Sequence, residues 1–167
     1  MGRTSGNGGY SSSFWQIENT SFDGTAFAWT DNHNGGSGNT LFNYNAYNTN
    51  NSSWKTYPYP YPPATNHLEV VGANDLAVTN YNWQTSWFGN FYLPANSPLI
   101  EMGSTNASLL GLYHFTTQTN QTPEGTNIVD IGYHYVATDQ YGNPLDSNGD
   151  GIPDYLEDRT DSGYSIL

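Results

Sequence analysis

Oxygen-bearing side chains recur at alternate positions over one short stretch near the C-terminus, Asp146-Ser147-Asn148-Gly149-Asp150-Gly151-Ile152-Pro153-Asp154-Tyr155-Leu156-Glu157. Donors fall at loop positions 1, 3, 5, 9 and 12, glycine stands at 6, and the Ile152 carbonyl is available at 7. A calcium ion takes six to eight oxygens at short range, and this spacing wraps a chain once around such an ion. Gly151 permits the sharp turn, and Glu157 can give two oxygens at once. Ca2+ is therefore the expected cofactor, with Asp146, Asn148, Asp150, Ile152 (through its carbonyl), Asp154 and Glu157 as ligands.

A sensor of the EF-hand type needs a helix on each side of its loop, because the opening of that helix pair is its output. Upstream stand Gly142 and Pro144, which oppose a helix, while residues 154–159 have room for about a turn and a half. With one flanking helix, a brace is expected rather than a switch. The loop resembles the calcium repeats of dockerins and thrombospondin type 3 repeats, a resemblance confined to the last thirty or so residues. Asp158 and Asp161 depart from the spacing a second repeat would need.

Composition narrows the rest. The chain has 167 residues, no cysteine, and only Arg3, Lys55 and Arg159 as strong bases, for a net charge of −12. Without cysteine there is no disulfide framework and no thiolate metal site or nucleophile. Without a basic patch, nucleic acid is excluded as a partner, and anionic lipid surfaces are disfavoured. No apolar run reaches the length of a membrane span or the core of a signal peptide, so no membrane insertion is expected. The opening residues lack the Ser or Thr of a myristoylation signal and read as the start of a piece of something longer. A polar, weakly basic surface rich in Asn, Thr, Ser, Gly and Tyr suits an extracellular or cell-surface β-protein.

Three parts are expected. Residues 1–12 form a Gly/Ser-rich arm, flexible or strand-donating; 13–138 a β domain; 139–167 the calcium segment. Within the β domain, short β-prone runs alternate with Asn/Gly/Asp turns: Phe14–Ile17, Thr25–Trp29, Leu41–Tyr47, Leu68–Val71, Leu76–Val78, Phe88–Leu93, Leu109–Phe115 and Ile128–Val136. Almost no helix is expected before the loop. Phe91, Tyr113 and Tyr133 head similar strings at two nearly equal intervals, each close to the length of one solenoid coil. Tyr57–Pro63, with alternate prolines, reads as polyproline II: a rigid loop, or an aromatic platform for a sugar or a partner.

The run from Asn74 through Phe88–Pro94, Gly111–Phe115 and Val129–Tyr135 into Asp146–Glu157 is similar to the C-terminal region of large secreted bacterial proteins with right-handed parallel β-helix repeats. In those proteins the last coils pass through a Gly-Tyr-His-Tyr strand into an acidic calcium segment. The similarity covers roughly residues 74–158; residues 13–73 share only its texture, and the Tyr-Pro insert has no place in it. It implies an all-β fold of right-handed parallel β-helix-like coils ending in the calcium loop, an antiparallel β-sandwich being the alternative.

Catalysis finds weaker support. Glu18, Asp23, Asp31, Glu69, Asp75, Glu101, Glu124 and Asp130 are the carboxylates outside the loop, and no spacing pairs two of them as glycoside hydrolysis requires. A lyase that uses calcium with a base would need Lys or Arg near the acids, and Lys55 stands alone between Arg3 and Arg159. His114 and His134 fit hydrogen-bonded wall positions, or, for His134 with Asp130 on one strand face, a dyad. No catalytic residue is assigned. Sequons at Asn19, Asn50, Asn51, Asn106 and Asn120 follow from the abundance of Asn, Ser and Thr. The expected function is a non-enzymatic extracellular structural module stabilised by calcium, self-assembling head to tail into a filament through exposed edges and the N-terminal arm with Tyr10. The alternative is a carbohydrate-binding or carbohydrate-cleaving module, with glycans as partners and Trp15, Trp29, Trp54, Trp83 and Trp87 as platforms.

Overall fold

The computed structural model describes residues 15–30, 40–57, 65–67 and 72–157, with side chains described within 16–25, 42–52 and 72–157. The N-terminal arm, Leu68–Val71, Asp31, Glu69, the prolines of the Tyr-Pro insert and Asp158 onward lie outside the described residues, as do the side chains of Trp15, Trp29, Trp54 and Lys55. The described chain is all-β, built from short strands with one 3-10 turn and a single four-residue helix. Its sheets hold two or three strands each and are open.

The first half repeats a three-strand unit. Strands β1 (Trp15–Glu18), β2 (Ser21–Phe22) and β3 (Ala26–Thr30) are followed by β4 (Thr40–Asn43), β5 (Ala46–Asn48) and β6 (Ser53–Tyr57). Each strand lies parallel to the one three places later. Trp15 faces Thr40, Ser21 faces Ala46 and Ala26 faces Ser53, so the offset along the chain is nearly the same for all three pairs. Parallel neighbours need a long crossover between them, and here the crossover from each strand to its partner is the other two strands of the unit. A third layer begins with β8 (Leu76–Val78), which pairs parallel with β5, Ala46 facing Leu76. β7 (Thr65–His67) departs from this order and pairs antiparallel with β6, His67 facing Trp54.

What holds the layers in register is polar. Asn19 and Tyr44, which are related by the same offset, both adopt the left-handed conformation, φ 55° and 56°, and turn the chain between first and second strands. Below that turn Asn45 is fully buried. Its Oδ1 accepts from the Thr20 amide at 3.1 Å, and its Nδ2 donates to the Ile17 carbonyl at 2.8 Å. Its own amide donates to Asp75 Oδ1 at 2.9 Å in the next layer. Asp75 Oδ2 accepts from the Gly72 amide and the Tyr47 hydroxyl. Burial first, and then the Asp75 charge, push the Tyr47 phenol far above its ordinary value, so it stays a donor. Apolar contacts fill the space beside this column. Phe42 and Tyr47 pack with Ile17 and Phe22, and the Tyr47 and Phe22 rings stack at 5.1 Å. A second cluster joins Ala46, Tyr81, Leu93, Leu99 and Ile131. Gly72 is required by contact, since any Cβ there would meet the Phe42 carbonyl.

Beyond residue 80 the pairing becomes largely antiparallel. β9 (Gln84–Ser86) and β10 (Gly89–Tyr92) form a hairpin. Residues 99–107 run against 127–131 through Ile131 to Leu99, Gly103 to Val129, and Ala107 to Asn127 hydrogen bonds. β11 (Phe115–Thr116) and β12 (Tyr135–Val136) pair antiparallel, Phe115 facing Val136.

Several expectations need correction. Leu41–Tyr47 is two strands, because the left-handed Tyr44 bends the chain between them. Leu109–Phe115 is not a strand: Ala107–Leu110 is a 3-10 turn stopped by Gly111 at φ 75°, and only Phe115–Thr116 is extended into a ladder. Of Ile128–Val136, the last two residues form a strand. The aromatic echo at 91, 113 and 133 is not a coil period either. Phe91 and Tyr133 are in ring contact, but the strands that follow Tyr113 and Tyr133 oppose one another antiparallel.

Asn45→Ala removes the side-chain partners of the half-buried Thr20 amide and Ile17 carbonyl, which costs on the order of 1 kcal/mol or more. Urea denaturation followed by tryptophan fluorescence is expected to show a lower midpoint with an unchanged slope.

Candidate calcium loop and its surroundings

The loop is tied to the β domain before it closes on itself. The Leu145 amide donates to the Ala137 carbonyl at 3.1 Å, just past β12, and the Asp154 amide donates to the Leu145 carbonyl at 2.9 Å. Helix α1 (Asp154–Glu157) then starts with Tyr155 set edgewise against Phe115 of β11, ring centroids 6.4 Å apart. Ahead of the loop, Asp139 organises a tight turn, accepting from the Tyr141 and Asn143 amides and from Asn143 Nδ2. These bonds, that of the Asn143 side chain first, hold the Asp139 carboxyl below its ordinary value.

Inside the loop the acidic side chains fold back onto the backbone. Asp146 takes the Gly149 amide on Oδ1 at 2.7 Å and the Gly151 amide on Oδ2 at 2.9 Å. Asn148 Oδ1 accepts from the Asp150 amide, and Asp150 Oδ1 from the Ile152 amide. Gly149 and Gly151 have φ of 75° and 92° with open space where a Cβ would be, so conformation rather than crowding demands glycine at both. Asp150 and Glu157 converge on one point, the Asn148 amide nitrogen, at 3.4 Å from Asp150 Oδ2 and 3.2 Å from Glu157 Oε1. Two carboxylates drawn together with no base between residues 139 and 157 favour a cation. For its oxygen to face a cation there, the Asn148 amide would have to rotate, giving up its donation to the two carboxylates and the bond its Oδ1 accepts from the Asp150 amide.

Asp154 behaves differently from the other five expected ligands. It is buried, and its oxygens accept from the Ser147 amide and the Ser147 hydroxyl, both at 2.7 Å. His114 Nδ1 lies 4.0 Å from Asp154 Oδ2. An ion at the centre of the loop would meet Asp154 through water, as position 9 of such loops often does. Among the described residues no three Asp, Glu or His side chains alone make a metal cluster; the donor set here also draws on an amide and a backbone carbonyl.

Of the carboxylates outside the loop, Glu124 and Asp130 come together. Both are buried. The Asp130 amide donates to Glu124 Oε2 at 3.2 Å, and Asp130 itself accepts from the Thr117 hydroxyl and the Glu101 amide. His134 Nε2 lies 3.2 Å from Glu124 Oε1, so the partner of His134 is Glu124 where the strand pattern offered Asp130. The chain reaches Glu124 through a turn whose length no periodicity reveals. The neighbouring cavity, of about 40 Å³, is lined by Glu101, Glu124, Asn127 and Asp130. It has room for water and is far below the size of a sugar-binding pocket.

Asp23 is one carboxylate among many in the sequence, and the structure gives it a defined task. Its Oδ1 accepts from Asn48 and Asn51, and its Oδ2 accepts from Trp83 Nε1 at 2.8 Å. Partial burial raises its carboxyl, but the three bonds outweigh this and hold it below the ordinary value. The signal that would have found the contact is the offset between parallel layers, which carries Asp23 to Asn48.

Comparison with protein-family models, with curated proteins and with solved structures returns no match for this chain.

Burial raises the Asp130 carboxyl, the Thr117 and Glu101 bonds pull it back, and the Glu124 charge adds to the rise, leaving it above the ordinary value. A group raised on folding contributes stability that is present below its unfolded value, about pH 4, and is lost as pH rises through the folded value. Asp130→Asn should therefore flatten the fall in stability as pH rises above about 4, as measured by urea titrations at fixed calcium. A variant profile that stays parallel to the parent would assign the slope to other groups.

Proposed function

We propose that this chain is a non-enzymatic extracellular structural module of right-handed parallel β-helix-like coils, braced by calcium at Asp146–Glu157. The observation that carries the reading is the double engagement of the last segment. Asp150 and Glu157 converge on one point, while the same segment is fastened just past β12 by the Leu145 amide on the Ala137 carbonyl and against β11 by Tyr155 on Phe115. An ion held by Asp146, Asn148, Asp150, the Ile152 carbonyl and Glu157, with Asp154 through water, would tie loop closure to the docking of α1. Calcium is a hard cation served by oxygen alone, which is all the loop offers.

Support for the coil reading comes from the parallel pairing at a near-constant offset, Trp15 with Thr40, Ser21 with Ala46 and Ala26 with Ser53. A strand that returns parallel to itself through a crossover does so right-handed in nearly all proteins. The extracellular assignment rests on calcium supply and on composition. Near millimolar free calcium, a micromolar site adds roughly 4 kcal/mol, a large share of the stability of a typical domain.

Assembly into a filament extends the same reading. β1, β2 and β3 each pair on one side among the described residues. Among the described residues they form the first layer of the stack, and a strand at the end of a stack is a template for another copy. Contacts of one end with the opposite end do not close on themselves and build a filament.

Chelation is expected to lower the melting temperature by about 10 °C, with residues 139–157 losing amide-exchange protection first. Superimposable melting curves with calcium and with chelator would remove the brace. Glu157→Gln should weaken calcium binding at least tenfold by titration calorimetry, since it removes the ligand that closes the loop. Light scattering at rising protein concentration is expected to report growing assemblies, and a constant monomer mass in both conditions rules the filament out.

A further inference from the structure

A continuous run of aromatic rings crosses the second half of the fold, and its middle comes to the surface. Tyr81 stacks on Trp83 at 4.7 Å, and Trp83 meets Phe91 edgewise at 5.9 Å. Phe91 lies 6.4 Å from Tyr133, Tyr133 lies 4.6 Å from Tyr135, and Tyr135 stacks on Tyr92 at 4.2 Å. The ends of the run, Tyr81, Tyr92 and Tyr135, are buried. Between them Phe91 is 51% exposed, Tyr133 is 56% exposed and Trp83 is half-buried. Contiguous exposed rings rimmed by polar groups mark a binding surface more often than a surplus of core.

The rings are held in place before any ligand arrives. Trp83 is fixed through its Nε1 by Asp23, which Asn48 and Asn51 fix in turn. The Phe91 amide donates to the Tyr135 hydroxyl at 3.3 Å, and Gly89 leaves the room that hydroxyl needs, because a Cβ there would meet it. Orientation set in advance lowers the cost of binding. Next to Trp83 and Phe91 in sequence, Asn82, Gln84, Thr85 and Asn90 are exposed neutral donors and acceptors suited to hydroxyl groups, and among the described residues the one exposed charge bonded to the row is the Asp23 carboxylate on Trp83.

From this arrangement we infer that Trp83, Phe91 and Tyr133 bind a neutral polysaccharide, taken as a single chain. The C–H face of a sugar is apolar and packs on an aromatic ring, while its hydroxyls meet the amides at the rim. Charge selects against anionic ligands: the protein carries a net −12, and the carboxylate of Asp23 lies beside Trp83. Ring inclination selects against flat crystalline surfaces. Trp83 and Phe91 are inclined at 87° and Phe91 and Tyr133 at 44°, so a plane touches one ring at a time whereas a twisting chain is met from several sides. The exposed aliphatic residues Leu109, Leu110 and Ile128, which would serve a protein partner, are not part of the row.

Affinity electrophoresis in calcium-containing buffer tests this with four soluble neutral polymers: hydroxyethylcellulose, a β-1,3-glucan, an unsubstituted xylan and a galactomannan. Alginate and microcrystalline cellulose serve as the anionic and flat arms. At least one neutral polymer should retard the protein. Phe91→Ala and Tyr133→Ala should each weaken that retardation roughly tenfold, while Phe91→Tyr and Tyr133→Phe retain it. Leu109→Ala should leave it unchanged. The inference is overturned if none of the neutral polymers binds, if alginate or the crystalline surface binds more tightly, or if the alanine variants bind like the parent while folded by circular dichroism. It is equally overturned if sedimentation shows a dimer that the same alanine variants abolish, which would assign the row to a second copy of the chain.

Discussion

One buried asparagine side chain joins the layers of the first half. Asn45 reaches up to Ile17 and Thr20 and is anchored below by Asp75. Parallel strands this short bury little apolar surface of their own and gain slowly from pairing, since each pair must first close a long loop. A fully satisfied buried amide compensates by specificity: a slip of register would leave the buried polar groups of the column without partners. The left-handed turns at Asn19 and Tyr44 bring the chain to that column at the same point of successive layers. The apolar clusters then fill space whose dimensions the polar column has already set.

This explains which parts of the fold can be read from the amino-acid sequence. The all-β class is legible, because Asn, Gly and Asp recur too often for helices and the β-prone runs are short. β8 and β10 are legible at nearly their true bounds, since Leu76–Val78 and Gly89–Tyr92 are β-prone segments bounded by turn residues. The pairing is hidden. Its side-chain bonds across layers come from Asn45 and Asp75, which differ in type, while Thr20 at the corresponding place in the first layer takes part through its backbone amide and not its side chain. The more visible repeat, aromatic residues before strands at 91, 113 and 133, is misleading as to period. Phe91 and Tyr133 meet each other, whereas Tyr113 meets His114. Helix-like geometry at Ala107–Leu110 escapes detection because apolar Leu109 and Leu110 fit a strand as well as a 3-10 turn.

Among the candidate ligands, chemistry is more legible than geometry. Acidic residues at alternate positions with glycine at 149 and 151 are readable as a loop, and the loop is there, with its side chains accepting from its own amides. The spacing alone does not show that Asp154 faces Ser147. Nor does it show that Phe115 supplies the platform for Tyr155. Those two contacts give the segment its mechanical meaning. Under the proposed function, calcium fixes the direction in which the last helical turn leaves the loop, and Tyr155 carries that direction onto β11. With one short helix after the loop and a strand before it, there is no pair of helices to open, so binding energy would go into rigidity.

The two halves of the chain solve the problem of burying aromatic residues in different ways, and the difference bears on function. In the first half the buried Tyr47 ring stacks on the half-buried Phe22, and the Tyr47 hydroxyl is satisfied by Asp75, so the Tyr47 ring serves stability. In the second half the buried rings Tyr92 and Tyr135 extend outward through Tyr133 to Phe91 and Trp83, and the packing continues into solvent. Exposing Phe91 and Tyr133 forgoes the roughly 1.5–3 kcal/mol that full burial of one large apolar side chain contributes. A fold that buries the Tyr47 ring completely has a means of burying others. That it instead props Trp83 with Asp23, and Asp23 with two asparagines, indicates a surface kept rigid for contact rather than a core left unfinished.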